Sequence, residues 1–310
     1  MRRSAIGMAV VALTVTIGAS PAAAAPARYS VVDLGTLGGE SSYALALNDR
    51  GQVVGSSQVA DGSWHGFVWR AGTMTDLGAL RPSGINNKGD MIGTTDDSGF
   101  LLRAGRLIDL GLGVFPTALN DRGQVIAAGP FPATPFLWSA GRIRTLPLDT
   151  VSDINDRGQI SGGHLVEDGF HAAVWRRGRV TDLGAGPFDR SNTYGINESG
   201  WVIGWQFSPT QFERGILWRA GTPTDIGTLG GDLTHLTAIN DRGQILGISQ
   251  LPNGYTHPVL WRAGTMTDLT TLGVDPDREV VDLNNRGEIA ASYSPVSGTS
   301  HAALYRISGR

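Results

Sequence analysis

The chain has 310 residues, 44 of them glycine, with 17% charged residues and no cysteine, which excludes thiol catalysis, thiolate metal sites and disulfide staples. Its formal net charge is −3, with 25 basic and 28 acidic residues and a single lysine, Lys88. Such a balance is unsuited to a nucleic-acid phosphate backbone.

Residues 1–27 differ from the rest. Arg2 and Arg3 precede an apolar run from Ala5 to Ala19, and Ala22 to Ala25 offer small residues for cleavage. This is the pattern of a secretory signal peptide, too short for a confident membrane span and followed by no second apolar segment. Export would leave 23 basic against 28 acidic residues and place residues 28–310, as one domain, in an extracellular bacterial setting.

From there the chain repeats. Asn-x-x-Gly occurs at Asn48, Asn86, Asn120, Asn155, Asn197, Asn240 and Asn284, each opening a short apolar run. A period near forty residues marks a solenoid, a propeller or an array. In the first unit Tyr43–Leu47 reads as strand a, Gln52–Gly55 as b, Gly66–Arg70 as c and Thr73–Gly78 as d. The Asn-x-x-Gly tetrad is the a–b turn: asparagine bonds back to nearby backbone and glycine takes the left-handed conformation. A second tight turn, Ala71-Gly72 and its equivalents, joins c to d. Strand c carries one large residue at a fixed register, Trp69, Leu102, Trp138, Trp175, Trp218, Trp261 and Tyr305, which reads as filling between adjacent sheets.

The strand-d copies decide between ring and rod. Val32-Asp33-Leu34-Gly35 precedes any a, b or c strand, whereas the last unit ends at Tyr305-Arg306 without a d. One strand is surplus at the start and one missing at the end, as a ring closed by its N-terminal strand requires. The expected fold is therefore all-β: a seven-bladed propeller of four-stranded blades, with a β-helix as the lesser alternative.

The phrases Asp33-Leu34-Gly35-Thr36-Leu37-Gly38-Gly39 and Asp225-Ile226-Gly227-Thr228-Leu229-Gly230-Gly231, with units of the form I-N-D-R-G-Q-x-x-G…H-x-x-x-W, resemble the HAF-repeat family of bacterial extracellular proteins. The likeness covers the mature chain, although His-Ala-Phe itself is never spelled out: His65-Gly66-Phe67 and His171-Ala172-Ala173 stand in its place. The resemblance implies secretion and a repetitive β fold, and brings no activity or site residues.

In a ring of this kind the a–b and c–d turns share one face, and the variable b–c and d–a loops share the other, where binding residues concentrate. That face is expected to hold Trp64, Asp96, Asp97, Glu167, Asp168, Trp205, Phe207, Phe212 and Tyr255 as ligand-binding residues. Phe131, Phe188, Tyr194, Gln211 and Tyr293 lie in the same loops. Aromatic plates among carboxylates suit sugar rings. His65, His171, His257 and His301 stand four residues before the strand-c register and read as structural; His164 and His235 break the pattern and are better site candidates. Arginines at the a–b turns and after strand c offer a cationic ring, opposed by the aspartates beside them. No catalytic motif is spelled out, and no metal site or cofactor is expected. The sequence therefore points to a monomeric, secreted, non-catalytic module for an extracellular glycan or protein. The alternative is a carbohydrate-active enzyme using acids such as Asp97 and Glu167.

Overall fold

The structure is a computed structural model and describes residues 28–129, 134–167, 169–186, 190–207, 212–276, 279–293 and 298–308. The leader expected at 1–27 lies outside the described residues, as do Asp168, Phe131, Phe188 and Gln211.

Seven four-stranded antiparallel sheets form the seven blades of a β-propeller. Blade 1 is a Gly38–Leu47, b Val53–Val59, c Trp64–Arg70 and d Thr73–Asp76. Strands a and c begin earlier than their apolar runs suggest, because Gly38 pairs with Val59 and Trp64 with Gln58 in a hairpin that rises above the blade. The other a strands are Arg81–Ile85, Phe115–Leu119, Thr150–Ile154, Ser191–Ile196, Thr234–Ile239 and Glu279–Leu283. Successive a strands touch one another around the circle, the last meeting the first, so strand a is innermost and strand d outermost. Arg28–Asp33 pairs antiparallel with His301–Ser308, so the N-terminal strand is strand d of the last blade. The expected closure is the observed one.

The core is the set of interfaces between blades. Val53, Val54 and Phe67 are fully buried, and Trp69, Trp138, Trp175, Trp218, Trp261 and Tyr305 are all buried at their shared register. Three of these interfaces also carry an arginine over a ring: Arg144 over Trp175, Arg219 over Trp261 and Arg306 over Trp69.

The repeated asparagine does more than shape a turn. Asn48 Oδ1 accepts from the Arg50 and Gln52 amides at 3.0 Å, and its Nδ2 donates to Gln52 Oε1 and to the Asn86 carbonyl of the next blade at 2.9 Å. Every hydrogen-bonding position of the buried amide is thus filled. The interblade bond recurs from Asn86 to Asn120, to Asn155, to Asn197, to Asn240, to Asn284 and back to the Asn48 carbonyl, an unbroken circle. A second circle runs beside it. The Asp49 amide donates to Asn87 Oδ1, and the pattern passes through Asp121, Asp156, Glu198, Asp241 and Asn285 back to Asp49.

On the outer rim, the Asp-Leu-Gly phrases lie at the far end of strand d, which stops at Asp33 and Asp76 and runs on to Gly184 and Leu112 in two other blades. Asp33 Oδ1 accepts the Gly35 amide at 2.8 Å where Gly35 turns to φ +75°. The same carboxylate takes His301 Nδ1 at 3.0 Å, and Asp76 takes His65, Asp182 takes His171 and Asp268 takes His257. These four histidines are outer-edge fasteners, as their register implies.

Candidate functional site

Two axial openings follow from the ring. On the tight-turn face the two hydrogen-bonded circles surround a depression of about 270 Å³, rimmed by Asp49, Asp121, Asp156, Glu198 and Asp241. No arginine lines that depression; the turn residues Arg50, Lys88, Arg122, Arg157 and Arg242 stand exposed outside it, and three of the strand-c arginines are bound elsewhere. Arg103 pairs with Asp90 at 3.2 Å, Arg306 with Glu288 at 3.1 Å, and Arg219 lies 4.0 Å over Trp201, each spent on a joint between or within blades. Deeper along the axis, one register is filled by Ala46, Gly84, Ala118, Gly195 and Ala238, but by aspartate at 153 and 282. Asp153 Oδ2 accepts the Ile196 amide of the next blade at 3.0 Å, and Asp282 Oδ2 accepts that of Leu47 at 2.8 Å. Burial pushes both carboxyls up to about 6, against the pull of these backbone bonds, and the charge of Asp153 adds to the rise at Asp282.

The opposite opening lies on the face of the variable loops. Five residues before each ring asparagine, at the far end of strand a, stand Tyr43, Arg81, Phe115, Thr150, Asn192, His235 and Glu279. This register holds seven different side chains; the next one along strand a, from Ala44 to Val280, varies too but keeps to small or apolar residues. Tyr43 stacks on Trp64 with centroids 5.5 Å apart, and Arg81 Nη2 meets Asp96 Oδ1 at 2.7 Å. Phe115 is 63% exposed, and Leu112, which ends strand d of the preceding blade, is exposed as well. Asn192 sits across the ladder from Trp205, which contacts Phe207 with centroids 4.8 Å apart. His235 Nδ1 lies 2.8 Å from Glu213 Oε1, which also accepts the Tyr194 hydroxyl at 3.0 Å. Burial, reinforced by the Glu213 charge, raises the Tyr194 phenol well above its ordinary range.

The expected site residues therefore divide. Trp64, Asp96 and Trp205 adjoin the mouth register directly, and Phe207 supports Trp205. Asp97, Glu167, Phe212 and Tyr255 are exposed on the b–c connections of blades 2, 4, 5 and 6, spread around the rim. His235 belongs to a three-residue network with Glu213 and Tyr194. His164, 3.5 Å from Asp149, lies across the ladder from His171 and next to Gly163, the partner of Thr150. Tyr43, Arg81, Phe115, Glu213 and Glu279 were missed. The available signal was the step of five back from each asparagine, which becomes meaningful once strand a is known to line the axis.

No family model and no characterised protein sequence matches the chain. Solved structures do. The β-propeller domain of the Trilobed protease from Pyrococcus furiosus superposes with a TM-score of 0.60 at 9% identity, over 87% of this chain and 97% of that one. Pyrococcus horikoshii acylaminoacyl peptidase gives 0.60 at 11% identity over 87% of this chain, which spans 52% of the peptidase. YCF48 bound to D1 peptide gives 0.53 at 10% identity, over 91% and 96%. At these identities the similarity establishes the propeller fold alone.

Proposed function

We propose that this chain is a secreted, non-catalytic binding module that acts as a single copy and receives an extracellular glycan or protein segment at the variable-loop mouth of its axial channel. The observation that carries the reading is the mouth register: seven different side chains, with Phe115 63% exposed and Tyr43 stacked on the part-open Trp64, on a frame whose tight turns and strand-c aromatics repeat. Exposed aromatics on a rigid scaffold are a mark of recognition surfaces. The composition of residues 1–27 supports export, and the peptide held by the YCF48 propeller supports ligand capture by this architecture. Binding is favoured over glycoside cleavage because Asp97 and Glu167 stand on the b–c connections of blades 2 and 4, with a whole blade between them. Screening the mature protein against glycan and peptide arrays, with Phe115→Ala beside it, tests the reading. The expected result is a ligand whose affinity falls at least tenfold in the variant. A folded sample that binds nothing in either array, or binds equally well without Phe115, overturns it.

A further inference from the structure

Among the described residues, blades 1 and 6 share a crown that the other blades do not. Gly35-Thr36-Leu37-Gly38-Gly39 and Gly227-Thr228-Leu229-Gly230-Gly231 enter strand a through the same bonds. Thr36 Oγ1 donates to the Gly39 carbonyl at 2.8 Å and Thr228 Oγ1 to that of Gly231 at 2.7 Å, while the Leu37 and Leu229 amides donate to Ser57 and Ser249. Both loops then lean on a b–c hairpin. A Cβ at Gly39 would come within 2.8 Å of the Val59 carbonyl, and one at Gly231 within 2.8 Å of Gln250, so each second glycine is required by close approach.

The two crowns differ in what they leave open. In blade 6 the glutamine is spent: Gln250 Oε1 accepts the Asp232 amide at 3.0 Å and Nε2 donates to the Gly254 carbonyl at 3.3 Å, with Pro252 standing over Gly230. In blade 1 the corresponding Gln58 side chain bonds to no protein group among the described residues, and Ala60 replaces the proline. There a cleft of about 490 Å³ opens between Gly38-Gly39-Glu40 and Gln58 to Gly62. It falls within the roughly 300–1,000 Å³ usual for small-molecule sites. Trp64 is the cross-strand partner of Gln58, stacked on Tyr43 and 44% exposed.

We propose that the blade-1 crown is a saccharide subsite, with a pyranose ring on the Gly38-Gly39 floor, its hydroxyls bonded by Gln58, Glu40 and Asp61, and the next ring of the chain against Trp64. A free amide supplies both donor and acceptor, two carboxylates supply acceptors, and an indole supplies a face for sugar C–H groups. The two carboxylates also set the class: a neutral or N-acetylated saccharide is accepted and a uronate or sulfated one is repelled. The blade-6 crown is the same frame with its amide already satisfied, and serves as the built-in comparison. This inference rests on the mouth-face reading and narrows it.

The test titrates the full mature protein with cellohexaose, chitohexaose and a galacturonate hexamer, following tryptophan fluorescence and calorimetry. The expected result is saturable binding of a neutral or N-acetylated hexamer and none of the galacturonate. Gln58→Ala and Trp64→Ala should each weaken it at least tenfold with an unchanged thermal midpoint, and Gln250→Ala less than twofold. Binding that survives both blade-1 variants, or that prefers galacturonate, overturns the subsite. If no hexamer binds while a peptide is captured in a Phe115-dependent way, the saccharide subsite falls and the wider reading stands. If nothing binds at all, both fall.

Discussion

Six of the seven ring asparagines are held by four side-chain hydrogen bonds in a buried position, Asn197 by two because Trp201 follows it, and removing one strands several partners at once. Asn120→Ala leaves the Arg122 and Gln124 amides, the Gln124 side chain and the Asn155 carbonyl without their bonds. The expected loss is about 3–5 kcal/mol by chemical denaturation. Asparagine with glycine three residues on was legible as a turn. Its second role was not, because the acceptor lies 34 to 44 residues away, and 236 away for Asn284, and only the closed ring brings it near. The c–d turns make the reverse point. Ala71, Ala104, Ala140, Arg177, Ala220 and Ala263 all sit at φ between 48° and 50°, left-handed backbone that a side chain with a Cβ resists. Ala140→Asn should raise stability by about 0.5–1 kcal/mol, read as an increase in denaturation midpoint at constant slope. The two axial aspartates give stability a pH dependence of fixed sign. With folded pKa values near 6, above those of an unfolded chain, they bind protons on folding between about pH 4 and 6. Stability contributed by them is therefore greatest below pH 4 and is lost as pH rises through 6, so the protein should become more stable on going from pH 7.5 to 5. Substituting Asp153→Asn and Asp282→Asn together should flatten that slope. Asp76 works the opposite way. Its bonds from His65 and the Gly78 amide hold its carboxyl below the ordinary range, so its contribution fades as pH falls through the acid range.

Among the elements, strand c decides how adjacent blades meet. Trp138 is buried between blades and lies across from Val125 on strand b and Ile143 on strand d. Trp138→Ala should cost about 3–5 kcal/mol, seen as a lowered denaturant midpoint. The periodic tryptophan made this readable without coordinates, since a large side chain at one register in nearly every unit has a packing cause common to all of them. The strands of the crowns were harder. Gly38 and Gly39 look like loop residues by composition, yet they extend strand a, because a glycine can ladder against a hairpin approaching too closely for any other residue. The mouth residues resisted for a different reason: Tyr43, Arg81, Phe115 and Glu279 range from aromatic to cationic to acidic, and only a common distance from the ring asparagine unites them all. Loop aromatics such as Tyr255 are conspicuous by type, but type alone does not say how near the axis they fall.

At the scale of the molecule, closure rests on Arg28–Asp33, which buries Tyr29 and sets Asp33 between Tyr293 and His301. A chain beginning after this strand should lose roughly 5 kcal/mol and expose the edge of His301–Ser308, measurable as a lower thermal midpoint and a tendency to associate. The surplus strand was readable from the count of units; the residues that fasten it were not. Arg28 and Ser308 are ladder partners at the place where the other blades carry the Ala-Gly turn between c and d. That place lies on the side of the ring away from the mouth. A tether attached beyond either residue would leave from the back, so that the disc, moored to a surface, turns its open rim outward to whatever drifts past.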